Sequence, residues 1–131
     1  MKNIFLPLLF LLILASSCSK DAQYNRRMEG NWKVESSNGQ PVPNQYYSER
    51  TITFKKTDRK AGKVTMHTVP LSGSEYSLNG TYTLSQKGYL HMELTDANGV
   101  PVTLEYHIES IEDDKITWTV VENEQTEVLV Q

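Results

Sequence analysis

The chain has 131 residues, 38% of them hydrophobic and 22% charged, with 13 lysines and arginines against 16 aspartates and glutamates. That length suits one folded domain, and the mild acidity argues against general nucleic-acid binding, which needs a basic face to neutralise phosphates. With a single cysteine the domain has no intrachain disulfide and must rest on its own core.

In chain order, the first element is an export signal: Met1-Lys2-Asn3, the apolar stretch Ile4 to Ala15, then Ser16-Ser17-Cys18. The apolar stretch is too short to span a bilayer, which takes about 20 residues. Ala15-Ser16-Ser17-Cys18 resembles the lipobox of bacterial lipoproteins, with alanine in the place where leucine is commonest. The resemblance implies that the Cys18 thiol takes a diacylglyceryl group and that residues 1–17 are then removed as the lipoprotein signal peptide. Two or more acyl chains anchor a protein stably where one is marginal. The expected partner is therefore a membrane, reached through the lipid on Cys18, and the expected location is the cell envelope, on the outer membrane. Residues 18–28 read as the lipidated cysteine and a flexible tether, since Ser19 to Met28 is polar and lacks apolar periodicity.

Residues 29–131 read as one all-β domain. Period-two alternation, the mark of half-buried strands, recurs eight times. The inward sets are Trp32 and Val34; Ile52 and Phe54; Val64 and Met66; Tyr76, Leu78, Tyr82 and Leu84; Leu90, Met92 and Leu94; Val102, Leu104, Tyr106 and Ile108; Ile116, Trp118 and Val120; Val128 and Val130. Turn residues separate them. Eight alternating strands on short connections predict an antiparallel up-and-down β-barrel, closed by pairing the last strand with the first. Gly80, inward between Leu78 and Tyr82, marks a bend or close approach.

Loop length fixes two registers. A three-residue loop, Ala97-Asn98-Gly99, pairs Leu94 with Val102, Met92 with Leu104 and Leu90 with Tyr106, so that every apolar residue meets another, and it sets His91 opposite Glu105. A slip of one residue would turn the whole strand outward. A three-residue loop at Ile111-Glu112-Asp113 would likewise put Trp118 opposite Tyr106.

Gly30-Asn31-Trp32 at the start of the first strand, behind a lipoprotein signal and ahead of a β-meander, resembles the opening of the lipocalins and of bacterial lipocalin-like domain lipoproteins. Thr95-Asp96-Ala97 only begins like the second lipocalin motif, and no arginine follows Arg59 to supply the third, which places the resemblance with the minimal bacterial relatives. It implies a lipocalin-like barrel whose floor is closed by Trp32 and whose cavity takes a small hydrophobic or amphipathic ligand. An eight-stranded barrel is just wide enough to hold one such ligand or to be filled by its own side chains.

Candidate ligand-binding residues are Trp32, Phe54, Tyr82, Tyr106 and Trp118 on inward faces, with Tyr46 and Tyr47 in the long segment Ser36 to Glu49, which together with Val69 to Ser74 would border the mouth. No catalytic, metal or cofactor set is expected. The three histidines His67, His91 and His107 all take outward parity, and no nucleophile stands beside His91 and Glu105. Lys55, Lys56, Arg59, Lys60 and Lys63 crowd one hairpin, which suits either a solvated tip or contact with lipid phosphates or a polyanionic glycan. The expected function is non-catalytic binding of a small ligand; the alternative is an envelope protein-interaction or inhibitor module with a plugged core.

Overall fold

A computed structural model describes residues 19–131; the expected signal peptide, residues 1–17, and the expected lipidation site Cys18 lie outside the described residues. Helix α1 (Ser19–Met28) is followed by β1 (Gly30–Ser37), a two-residue β2 (Gln40–Pro41), β3 (Tyr47–Asp58), β4 (Ala61–Pro70), β5 (Tyr76–Ser85), β6 (Tyr89–Thr95), β7 (Pro101–Ile111), β8 (Lys115–Val120) and β9 (Thr126–Val130). β1 pairs antiparallel with β3, each strand from β3 to β8 pairs antiparallel with the next, and β9 returns to pair with β1. With β2 folded back against the end of β1, the wall is a closed barrel of eight strands. Closure gives every strand of the eight-stranded wall two neighbours, which removes the two full-length edges an open meander of this length would carry.

Alternation explains the interior. Trp32, Ile52, Phe54, Val64, Met66, Tyr82, Leu90, Met92, Ile108, Ile116 and Trp118 are all at most 2% exposed, as their inward parity requires. The β6–β7 register is the expected one: Leu94 faces Val102, Met92 faces Leu104, Leu90 faces Tyr106 and His91 faces Glu105. Gly99 takes φ +79°, and the Asp96 N–H donates to the Val100 carbonyl at 3.1 Å. Gly80 permits close approach of β6, because a Cβ there would overlap the Glu93 carbonyl.

Four expectations are corrected. First, residues 19–28 are not a tether but α1, docked across one end of the barrel. Its polar residues satisfy the backbone of three turns: Asn25 Nδ2 donates to the carbonyls of Asp58, Arg59 and Ala61 at 2.8, 3.1 and 3.2 Å, the Asp21 carboxylate accepts from the Gly88 and Lys87 N–H groups at 2.8 and 3.2 Å, and Arg27 donates to the Ile111 carbonyl at 3.1 Å. Asp21, Asn25 and Met28 are buried, one residue per turn on a single face, a pattern hidden by its being mostly polar.

Second, Trp118 lies opposite Ile108, not Tyr106. A bulge between Ile108 and Ser110, together with a two-residue Asp113-Asp114 turn closed by the Glu112 N–H on the Lys115 carbonyl at 2.8 Å, shifts the β7–β8 register. The bulge lets Ile108 and Ile111, at odd spacing, both point inward. Third, β9 buries Glu127 and Leu129, not Val128 and Val130. Fourth, Tyr76 keeps inward parity opposite Thr68 but is 46% exposed, because β6 ends opposite Asn79 and nothing covers it. Residues 19–131 thus contain both strands that close the barrel and the helix that caps it.

Candidate functional site

The interior carries an aromatic column from the α1 end to the open end. At the floor, Trp32 Nε1 donates to the Met28 carbonyl at 2.7 Å and the Tyr82 hydroxyl to Asn25 Oδ1. Tyr82 meets Phe54 edge-on at 5.3 Å, Phe54 meets Trp118 edge-on at 6.3 Å, and Trp118 lies 4.3 Å from Tyr106 at 31°. Edge-on contacts of this kind are favourable packing geometry. Trp32, Phe54 and Tyr82, expected to line a ligand cavity, therefore fill the lower barrel and hold its floor.

Above Trp118 the interior turns polar. β8 and β9 set Trp118 opposite Glu127, and Trp118 Nε1 donates to Glu127 Oε1 at 2.9 Å while the Tyr47 hydroxyl donates to Oε2 at 3.3 Å. Both carboxylate oxygens have a partner, as burial of a charge demands. Arg50 points inward opposite the buried Thr68, giving its Nε–H to Thr68 Oγ1 at 2.9 Å and stacking its guanidinium 4.3 Å from the Tyr47 ring centre. Burial raises the Tyr47 hydroxyl to about 12, with the Glu127 charge adding and Arg50 opposing. The Tyr106 hydroxyl is pushed up by the same burial and the same carboxylate. One acid and one base thus face the same two tyrosines.

Around this cluster the wall is notched. Tyr76 to Leu78 on β5 run past the end of β6, and Pro101 to Leu104 on β7 run past the end of β8. Clefts of about 580 Å³, along Glu75 to Asn79 and Thr95 to Asn98, and about 460 Å³, along Thr103 to Glu105 and Val120 to Glu122, occupy the notches. Inward-facing Leu78, Val102, Leu104 and Val120 remain only partly buried there. The large hydrophobic residues most open to solvent, from Val121 at 42% to Tyr46 at 57%, with Leu71, Tyr76 and Val100 between them, all stand on this same end.

Of the candidate residues, the structure brings Tyr47, Tyr106 and Trp118 together beneath the mouth and leaves Tyr46 exposed on its rim. Sequence reasoning missed Glu127 and Arg50. Arg50 was legible, sharing parity with Ile52 and Phe54. Glu127 was not, because Val128-Leu129-Val130 is apolar throughout and offers no parity. On the outer wall His91 Nδ1 lies 3.1 Å from Glu105, whose carboxyl is held below its usual range by the Tyr89 hydroxyl and then by His91. His91 and Glu105 are cross-strand neighbours on the outer wall, where Glu105 also borders the smaller cleft.

The family model described as a lipocalin-like domain matches residues 28–118. The chain belongs to the lipocalin-like domain family. Among curated proteins nothing matches. The solved structures similar to this lipocalin-like chain include designed barrels. A redesigned β-barrel, mFAP1, bound to DFHBI, is 17% identical over 86% of this chain and 100% of its own, with a TM-score of 0.56. The redesigned barrel mFAP0, also bound to DFHBI, is 15% identical over 80% and 99%, at 0.56. A third, b11L5F_LGL, is 16% identical over 82% and 93%, at 0.54. At these identities the likeness is one of fold.

Proposed function

We propose that this lipocalin-like chain is a non-catalytic binding lipoprotein, anchored to the outer membrane through lipid on Cys18, that holds a small amphipathic ligand at the barrel mouth. The observation that carries the reading is the concentration of exposed and half-exposed apolar side chains on one end of the barrel, above a buried Glu127–Tyr47–Arg50 cluster. Apolar surface with a few fixed polar groups is what small-molecule sites are built from. The ligand's apolar body rests on Leu78, Val102, Leu104 and Val120, and its polar end meets Arg50 and the Tyr47–Glu127 pair.

The alternative, a protein-interaction or inhibitor module of the envelope, draws on the filled lower core, which leaves only the mouth and its rim for recognition. The deciding experiment is to recover residues 19–131 from the envelope of the native host and to weigh the protein under native conditions before and after unfolding. A stoichiometric adduct released on unfolding is the expected result. A clean apo mass, unchanged by envelope lipid extract, sinks the small-ligand reading in favour of a protein partner.

A further inference from the structure

We propose that the α1 end of the barrel docks on a surface of anionic phospholipid headgroups and holds the mouth away from the membrane. The orientation rests on the lipidation of Cys18; the surface chemistry rests on charge. Cys18 directly precedes Ser19, where α1 begins, and α1 is fastened to three barrel turns through Asp21, Asn25 and Arg27. A lipid on Cys18 therefore has no flexible linker behind it, and the barrel end under α1 must lie close to the headgroups. The fastening of Asp21 to Lys87 and Gly88 puts the anchored end of the helix beside the β5–β6 turn.

Charge is segregated along the barrel axis. Apart from Lys33 and Arg50, every lysine and arginine from residue 19 onward sits on α1 or on the strand ends and turns it covers. Arg26 on the helix, Lys55, Arg59 and Lys60 by the β3–β4 turn and Lys87 in the β5–β6 turn are exposed. Among the described residues Lys33 alone of the lysines and arginines is in an ion pair, with Glu49 on the wall. The exposed basic groups at the α1 end thus have no carboxylate partner among the described residues and are open to phosphates.

Of the acids at that end, Asp21 is buried against the Gly88 N–H, Glu29 follows α1, and Asp58 stands among the five lysines and arginines of the β3–β4 hairpin with its carboxylate accepting from the Arg59 N–H at 2.7 Å. The remaining three, Glu112, Asp113 and Asp114, occupy the β7–β8 turn, across the ring of strands from the β3–β4 turn. The barrel therefore tilts so that the β3–β4 and β5–β6 turns touch the membrane, and the anchor emerges in that same sector. The acids at the opposite end do not oppose docking. Glu75, Asp96, Glu122 and Glu124 lie at the mouth, and β4, 10 residues long, separates the ends by roughly 30 Å. That is several times the screening length of about 8 Å at physiological salt.

The test uses residues 19–131 without lipid, mixed with vesicles of phosphatidylcholine alone or of equal parts phosphatidylcholine and phosphatidylglycerol. Co-sedimentation with the anionic vesicles only, at low salt and not at high, is expected. Arg59→Glu with Lys60→Glu should weaken it by about fivefold or more per residue, and Lys115→Glu, in the acidic sector, should not. No binding to anionic vesicles, or equal loss with Lys115→Glu, overturns the docking surface. Because no lipid is attached, failure of the Cys18 reading cannot produce either result; that reading is tested by whether Cys18→Ala leaves the membrane fraction. In the lipidated full chain on anionic vesicles, a fluorophore on Thr57→Cys should be quenched by a headgroup quencher and one on Asn98→Cys should not. Equal quenching overturns the orientation.

Discussion

Glu127 shows how much one side chain can organise. It accepts from Trp118 on its own hairpin and from Tyr47 on β3, so it ties the closing strand to β3, the strand beyond β1. Glu127→Leu would strand an indole N–H and a phenol in a buried place, a loss of about 2–4 kcal/mol in denaturant melts, since each unsatisfied buried group costs about 1–3 kcal/mol. Glu127→Gln keeps an acceptor for Trp118 and should cost less. It also removes the charge that helps hold the Tyr47 proton, so the Tyr47 hydroxyl should titrate at lower pH, as read by tyrosinate absorbance. The buried tyrosines also set an alkaline limit. Tyr82 is raised to about 12 by burial and then by Glu29. A raised folded-state pKa gives stability that is complete below the unfolded value near 10 and is lost as pH climbs toward 12. For Tyr82 that is roughly 2–3 kcal/mol. Chemical melts at pH 9 and pH 11 should therefore differ, and less so in Tyr82→Phe; equal melts would show that the hydroxyl ionises within the fold.

Among the elements, α1 and β5 contrast what the sequence displays with what it hides. The strands were legible because each has a wet and a dry face, so parity could be counted and a loop length could be tested against it, as at Ala97-Asn98-Gly99. The helix was not, because the face it buries is Asp21, Asn25 and Met28, and the partners of its polar groups are backbone carbonyls and N–H groups of distant turns. No hydropathy pattern reports such pairing. β9 failed for the opposite reason, an unbroken apolar run that cannot be phased until the β8–β9 loop is known. Asn25 is the test of the helix: Asn25→Ala removes hydrogen bonds to three carbonyls and the Tyr82 hydroxyl. It should cost about 2–4 kcal/mol and raise amide exchange in the β3–β4 turn before the rest of the barrel. On β5, Gly80→Ala must push β6 away from its pairing position, whereas Gly99→Ala meets open space and bears only the strain of φ +79°. The first should lower the melting temperature clearly more than the second, which is worth about 1 kcal/mol.

Taken whole, the molecule divides along its axis into a packed half and an open half, and the two should answer mutation differently. In the lower half Phe54 touches both Tyr82 and Trp118, so Phe54→Ala leaves a hole in the aromatic column and should cost about 3–5 kcal/mol. At the mouth Val102 and Leu104 are already partly open to solvent, and a polar substitution forfeits little burial. Val102→Asp with Leu104→Asp should therefore leave stability within about 1 kcal/mol of the parent while abolishing the mass adduct and the uptake of an apolar dye. Arg50→Gln should reduce the adduct and leave dye uptake intact, because the dye has no polar end for the guanidinium to read. If Phe54→Ala instead enlarges the adduct without destabilising the fold, the lower barrel is part of the ligand cavity. If the mouth substitutions unfold the protein, the rim is a portion of the core, and the separation of a structural floor from a recognising mouth fails with it.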